Sequence, residues 1–436
     1  MNPFAALLLG GVYAAVLVYQ LTRRGLPVWG IFVLGAAASV ALGVLPPRDA
    51  LGALASNAPV LLFLFSLFVL AADLERAGAL EHLADWFLSK AREPGDIPLL
   101  LFVGFGVVSA FLVNDALVLL GVPLLFAMAK RLRVPERPLL LTLAFSVTVG
   151  SVLTPLGNPQ NLLVSLSSGL RAPTAVFLRY LLVPTAINLG IGAVLLRGWF
   201  GPAMAPAAPL LPAERANGPA LFPRGGWGPR LRAHPSLGIF PGTVLVLVTL
   251  DVLATVTGGP SVPSVDLGLV GAGLVLLLSP SPVRLLRRIN WRVLALFAGL
   301  FVVVAGAVQG GVIAAVEGYL PLPNANAPSG ASVPGVVLTA LVGSQLVSNV
   351  PWTALQVPVL HGLGYGASTP LVWVGLAAGA TLAGNLTLLG AASNLIVAEE
   401  ADRRGTRIDL REFARYGIPL TAITVAVLVV CLTLGL

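Results

Sequence analysis

Charge is what this sequence has least of. Asp, Glu, Lys and Arg make up 10% of its 436 residues, whereas soluble chains carry about 25%. That leaves too little polar surface to cover a water-soluble multidomain enzyme of this length. Cysteine is nearly absent as well: Cys431 stands alone, so neither an internal disulfide nor a thiolate metal cluster can form. There are only three histidines and no His-Glu-x-x-His motif, which excludes a zinc-type intramembrane protease. No Gly-x-x-x-x-Gly-Lys-Ser/Thr run supplies a nucleotide-driven engine. Asp115 and Asp251 carry no aspartyl-protease motif, so neither an enzyme nor a bound cofactor is expected.

Hydrophobic residues, by contrast, make up 57% of the chain. They fall in runs at roughly 4–21, 27–45, 58–74, 97–130, 138–169 and 174–197, then at 238–257, 262–279, 291–308, 331–361, 370–398 and 413–435. Most match the ~20 residues that cross a ~30 Å hydrocarbon core. The expected class is an all-α polytopic protein of a cell (plasma or inner) membrane, with the lipid bilayer as its partner. Phe4–Leu21 has no charged region before it and no small-residue cleavage site after it, so it reads as a retained span. From Ala79 to Arg92, Leu80, Leu83, Trp86 and Phe87 alternate with Glu81, His82, Asp85 and Lys90, as in an amphipathic helix lying at the interface.

The two halves repeat. Leu67-Phe68-Val69 matches Leu300-Phe301-Val302, and Gly78 matches Gly311. Asn114 and Pro123 match Asn349 and Pro358. The run Leu156-Gly157-Asn158-Pro159-Gln160-Asn161-Leu162 aligns with Leu389-Gly390-Ala391-Ala392-Ser393-Asn394-Leu395, and Phe177-x-Arg179-Tyr180 with Phe413-x-Arg415-Tyr416. All offsets lie between 233 and 236 residues. Five matches in order mark an internal repeat: a first unit over 1–197, a polar linker over 198–236 and a second unit over 237–436.

A formal charge of +8 would suggest nucleic acid in a soluble protein; in a membrane protein the orientation rule explains it, and no nucleic-acid partner is expected. If 97–130 is a re-entrant hairpin, each half has five crossings, plus a broken helix counted among them. With Arg23 and Arg24 inside, every basic residue but Arg48, Arg171 and Arg179 falls on the cytoplasmic side, including the linker's Arg215, Arg224, Arg230 and Arg232. The halves are then inverted. Counting both hairpin arms as crossings gives seven per half, also odd, so charge parity alone leaves the hairpin open. The polar Asn114-Asp115 between two apolar arms favours re-entry.

Each half contains two polar interruptions of an apolar run. In the first they are Asn114-Asp115 and Thr154-Pro155-Leu156-Gly157-Asn158-Pro159-Gln160-Asn161. In the second they are Ser348-Asn349-Val350-Pro351 and Asn385-Leu386-Thr387, running on to Gly390-Ala391-Ala392-Ser393-Asn394. Proline removes a backbone donor and frees carbonyls, and unpaired backbone is tolerated in a membrane only inside protein or beside a water-filled cavity. Matched broken helices in two inverted halves point to a transporter's midplane site. The expected substrate- or ion-binding residues are therefore Asn114, Asp115, Thr154, Gly157, Asn158, Gln160, Asn161, Ser348, Asn349, Asn385, Thr387, Gly390, Ser393 and Asn394. Sodium would find ligands at Asn114, Asp115 and Asn349. Two carboxylates in apolar surroundings, Asp115 and Asp251, are coupling candidates; Asp251 reads equally well as a helix-packing hydrogen-bond partner. Asp73 and Glu75 are expected in solvent, His361 and Glu317 in loops, and Glu399, Glu400 and Asp402 on a solvated face.

The Asn114-Asp115-Ala116-Leu117 stretch with Pro123, and Thr154 to Asn161 after it, resembles the ion transporter superfamily. That group includes arsenite/antimonite permeases, citrate-transporter-like permeases and sodium-coupled divalent-anion symporters. Ser348-Asn349-Val350-Pro351 and Gly390 to Asn394 extend the resemblance over nearly the whole chain. The divalent-anion symporters carry Ser-Asn-Thr at their hairpin tips, and the tips here, Val113-Asn114-Asp115 and Ser348-Asn349-Val350, look more like the arsenite-permease branch. The resemblance implies a transport body moving against a scaffold in an elevator-type cycle. It also implies a secondary transporter of a small oxyanion or metalloid, with H+ or Na+ as coupling ion. A sodium/proton antiporter and a sodium-coupled di- or tricarboxylate symporter are the alternatives; a passive channel shares the same polar breaks. A homodimer and a soluble ATPase partner are both compatible with the sequence.

Overall fold

The structure is a computed structural model. It describes residues 2–22, 25–88, 90–207, 233–259, 261–317, 320, 322, 323, 325 and 329–436. Arg23, Arg24 and the linker arginines Arg215, Arg224, Arg230 and Arg232 lie outside the described residues, as does most of the expected linker.

Among the described residues there are helices and no strands. The first half runs α1 (Pro3–Thr22), α2 (Val28–Ala41), α3 (Pro47–Ser56), α4 (Ala58–Arg76), α5 (Ala79–Leu88), α6 (Asp96–Ser109), α7 (Asn114–Leu132), α8 (Glu136–Gly150), α9 (Pro159–Ser167) and α10 (Pro173–Phe200). The second half follows the same order: α11 (Ser236–Thr257), α12 (Ser264–Leu278), α13 (Pro282–Arg288), α14 (Trp291–Gln309), α15 (Val312–Glu317), α16 (Ser329–Val347), α17 (Asn349–Gly362), α18 (Pro370–Leu382), α19 (Ala392–Asp402) and α20 (Leu410–Leu434). Each helix of the first half thus has a counterpart in the second. Six helices among the described residues are long and apolar enough to cross a membrane, namely α1, α4, α10 with its extension to Pro206, α11, α14 and α20.

Packing is reciprocal between the halves. α2 lies on α14, and α12 on α4; α7 lies on α19, and α17 on α9. The α2–α14 contact is so close that a Cβ at Gly299 would sit 2.6 Å from the Phe32 carbonyl carbon. Two large apolar cores result, each drawing on both halves. One joins α6, α7, α8, α10, α16, α18 and α20. The other joins α1, α2, α4, α11, α12 and α14, with the tips and short helices of the site at its edge.

Several expectations are revised. The short helices α3 and α13 were not legible as separate elements. Asp73 is not in solvent: it is wholly buried, and its carboxylate accepts the Ser236 N–H at 3.2 Å, with His234 Nδ1 3.5 Å away. The first turn of α11, where Ser236 is buried, needs an acceptor for its free amides, and Asp73 supplies one. Glu75 is exposed as expected and pairs with Arg288 at 3.3 Å. His361 belongs to α17, where its Nε2 meets the Ser167 carbonyl at 2.9 Å.

Candidate functional site

The long apolar run 138–169 breaks where the sequence places its prolines. α8 ends at Gly150, and α9 restarts at Pro159, whose missing N–H and fixed φ suit the first helical position. Asn158 caps α9: its Oδ1 accepts the Asn161 N–H at 3.0 Å. The end of α8 leaves carbonyls without helical donors. Asn161 turns back to meet them, its Nδ2 reaching Ser151 O at 2.9 Å and Thr154 O at 3.1 Å. The second half uses the same device, with Asn394 Nδ2 donating to Gly384 O at 2.6 Å. Asn161 and Asn394, paired by the repeat, perform one task in both halves.

Gly157 and Gly390 are required by close approach. A Cβ at Gly157 would lie 2.4 Å from the Ser151 carbonyl oxygen; one at Gly390 would lie 2.4 Å from that of Ala383. No side chain fits at either position.

Each break is held from the joint between the two helices before it, and the two halves do this differently. In the first, the Asn114 N–H donates to Gly157 O at 2.9 Å, and the Thr154 hydroxyl donates to the Ala110 carbonyl. In the second, the Gln345 side chain bridges the gap. Its Nε2 donates to Ala383 O and its Oε1 accepts from the Thr387 hydroxyl, both at 2.7 Å. At the tips, Asn114 Oδ1 accepts the Asp115 N–H at 2.8 Å, and Asn349 Oδ1 accepts the Val350 N–H at 2.9 Å. Ser348 sits at φ 72° and ψ 161°, a region that costs a side chain-bearing residue about 1–3 kcal/mol.

The two breaks meet across Thr381. Its hydroxyl accepts from Asn158 Nδ2 at 3.0 Å and from Gln160 Nε2 at 3.1 Å, and donates to the Ala377 carbonyl of its own helix at 2.7 Å, with Asn161 Oδ1 3.1 Å away. Asn385, one turn on, donates to the Phe145 carbonyl of α8 at 3.2 Å. Asn158, Gln160 and Asn161 are therefore joined to α18, Thr154 and Gly157 stay within the first break and its tip, and Asn385, Thr387, Gly390 and Asn394 surround the second break. Four buried oxygens in this group have no partner among the described residues: Gln160 Oε1, Asn385 Oδ1, Ser393 Oγ and Asn394 Oδ1. Buried polar atoms are nearly always paired, so this set is open to a ligand.

Thr381, Ser151 and Gln345 were missed from the sequence. Thr381 had a signal: it matches Thr148 at the repeat offset of 233, each a hydroxyl in an apolar helix. Ser151, which accepts from Asn158 at 3.1 Å, faces Gly384 in the alignment and so gave none.

The profile of the citrate transporter family, CitMHS, matches residues 15–379. The chain belongs to this family. It is a multi-pass membrane transporter of an anion-transporter family, and the enzyme classes excluded by the sequence are absent from its relatives' names. A 46 kDa membrane protein of Mycobacterium leprae is 29% identical over 84% of this chain and 84% of its own length. The silicon efflux transporter LSI3 of Oryza sativa subsp. japonica is 26% identical, covering 91% of this chain and 90% of its own. Among solved structures, the YdaH transporter of Alcanivorax borkumensis matches with a TM-score of 0.55 at 16% identity, over 88% of this chain and 86% of that one; at that identity the likeness is one of fold.

Within this CitMHS member three carboxylates are buried among the described residues, Asp73, Asp115 and Asp251. Two of them serve helix N-termini. Asp73 receives Ser236 of α11 as described, and Asp251 Oδ2 accepts the Thr174 N–H of α10 at 2.8 Å. Asp251 is thus held away from the breaks, in the packing role that the sequence left open. Asp115 differs. It is 5% exposed beside the first tip, and among the described residues no hydrogen bond or ion pair reaches its carboxylate.

Proposed function

We propose that the protein is a secondary active transporter of a small oxyanion or metalloid, bound between the two breaks and coupled to protons or sodium. The observation that carries this reading is the Thr381 junction with its four unpartnered oxygens. It is a buried polar cluster drawn from both halves, made of amides and hydroxyls and, among the described residues, with no hydrogen bond from a Lys or Arg. The open atoms are acceptors, three amide oxygens beside the Ser393 hydroxyl, and they suit the hydroxyl groups of a small hydroxylated acid. The rice relative is named as a silicon efflux transporter, which supports a small inorganic cargo here.

The family's name favours a tricarboxylate as second reading. Citrate would bring several negative charges to a site without cationic side chains, so this reading needs co-bound sodium, with Asn114, Asp115 and Asn349 as its expected ligands. Asp115 is the coupling residue in either case: a proton and a sodium ion compete for one unpartnered carboxylate.

Inversion of the halves, over 1–197 and 237–436, fits the one-to-one helix order and the reciprocal packing. Elevator-type movement is supported by the division of the molecule into two large apolar cores, one on α6, α7, α8, α10, α16, α18 and α20 and the other on α1, α2, α4, α11, α12 and α14. The test is uptake into proteoliposomes of arsenite, silicic acid, phosphate and citrate, each with a pH gradient or a sodium gradient. Gradient-driven uptake of a small oxyacid supports the first reading; sodium-dependent citrate uptake alone supports the second.

A further inference from the structure

The stretch that joins α12 to α14 concentrates positive charge, with Arg284, Arg287, Arg288 and Arg292 inside nine residues. Its short helix α13 opens on Pro282 and stops where Ile289 returns to extended backbone. Leu285 and Ile289 turn inward and are buried, which fixes α13 against α4. The rest of the stretch therefore faces outward. Val283 is 60% exposed and Trp291 51%, and Arg284, Arg287 and Arg292 are exposed beside them. Trp291 is held in place: its indole N–H donates to the Leu286 carbonyl at 2.9 Å, and its ring centre lies 6.1 Å from that of Phe65 on α4.

Arg288 pairs with Glu75 at 3.3 Å, and Arg76 at the end of α4 donates to the Ser281 hydroxyl at 2.8 Å. Among the described residues, no hydrogen bond or ion pair reaches the guanidinium of Arg284, Arg287 or Arg292. The linker that ends at Ser236, beside Asp73 of the same α4, contains four arginines and one acid, Glu214, so its sequence does not offset them. Other arginines on this side are answered: Arg403 and Arg404 pair with Glu400, and Arg407 with Asp409. The counterpart of α13 in the first half, α3, has Arg48 beside Asp49, and Asp49 accepts from Gln309 at 2.8 Å. Of the two matched stretches, only the one that the arginine bias assigns to the cytoplasmic side is strongly cationic.

Three free guanidiniums beside a half-exposed indole and a valine make an amphipathic surface. Guanidiniums bind phosphate oxygens in a bidentate fork. Tryptophan settles at the headgroup level of a bilayer, where one end of the ring is wet and the other apolar. A dissolved phosphate would satisfy the arginines and leave Val283 and Trp291 in water, whereas a phospholipid covers both. The cytoplasmic leaflet is also the one that carries anionic lipid.

We infer that this face of α13 and the start of α14 is a docking site for an anionic phospholipid. Its phosphate is held by Arg284, Arg287 and Arg292, and its chains lie against Val283 and Trp291. Leu285 and Ile289 belong to the core that includes α1, α2 and α4, so the lipid is seated on that body and not on the breaks. The inference stands independently of which solute is carried.

The test is binding, read on the full chain in detergent by its thermal unfolding midpoint. Dioleoylphosphatidylglycerol is titrated beside dioleoylphosphatidylcholine and inorganic phosphate. Phosphatidylglycerol should raise the midpoint saturably, and the other two should not. A basic residue near an anionic lipid surface contributes about a five-fold factor in affinity, so Arg284→Gln with Arg287→Gln should weaken the phosphatidylglycerol response about 25-fold. Arg403→Gln with Arg407→Gln removes the same charge from the same side at a distance and should change the response less than about three-fold. Phosphatidylglycerol with brominated chains, added at equimolar lipid, should quench tryptophan emission. Trp291→Phe, which keeps a ring against Phe65, should lose most of that quench. Equal weakening by the two arginine pairs would reduce the effect to diffuse charge and overturn the site. So would equal stabilisation by phosphatidylcholine, stabilisation by inorganic phosphate alone, or a quench that Trp291→Phe leaves unchanged.

Discussion

Thr381→Val exchanges a hydroxyl for a methyl of the same shape at the point where the two breaks meet. Asn158 Nδ2 would keep the Ser151 hydroxyl at 3.1 Å. Gln160 Nε2 would lose the one partner it has among the described residues, while the Thr381 proton itself goes to the Ala377 carbonyl at 2.7 Å. A buried group left unpaired costs about 1–3 kcal/mol, so that is the expected loss. Thr148→Val is the matched control. It stands at the same repeat position, but its hydroxyl bonds only to Ala144 O of its own helix, at 3.0 Å, so its removal should cost about 1 kcal/mol or less. The assay is thermal unfolding in detergent beside transport in proteoliposomes. Thr381→Val should lower the midpoint on the order of 5 °C and depress uptake at least ten-fold, while Thr381→Ser restores both. Equal and small effects of the two valine variants would refute the bridging role.

Asp115→Asn should keep substrate binding and abolish the dependence of uptake on the ion gradient, whereas Asp251→Asn should lower stability by about 1–3 kcal/mol and leave coupling intact; the reverse pattern, read in the same flux assay, would mean that Asp251 is the coupling residue. Gly157→Ala and Gly390→Ala place a Cβ 2.4 Å from a backbone oxygen, so each should eliminate transport, as checked by flux on monodisperse protein. Ser348→Gly relieves a positive φ and should stabilise the fold by about 1 kcal/mol, measured by thermal unfolding. Asn114→Ala and Asn349→Ala should each stop transport with little change in the unfolding midpoint; wild-type flux in both would remove the tips from the site.

The backbone of the account was legible from the chain because a membrane makes polarity conspicuous. Asn161 and Asn394 stood out as amides in apolar runs, and their shared offset tied them to one task before any contact was known. Gly157 and Gly390 were paired in the same way, though their reason, a carbonyl where a side chain would be, exists only in three dimensions. Asp251 shows the limit. An isolated carboxylate in an apolar helix reads alike whether it binds a coupling ion or a helix end 77 residues away, since its partner is a backbone N–H that no sequence pattern marks. Asp73 misled for a related reason, because proximity to charged residues at a span's end resembles solvent exposure. Gln345 was overlooked because it acts through a long side chain on a backbone carbonyl 38 residues along the chain.

The central claim is that the two breaks form one substrate chamber. Its most direct test is saturable, gradient-driven uptake of a small oxyacid into proteoliposomes bearing wild-type protein, Asn158→Ala or Asn394→Ala, with the amount of folded protein matched. The expected result is uptake that saturates in the wild type and is lost in both variants, one from each half. Uptake that never saturates, or that survives in either variant at the wild-type rate, would contradict it.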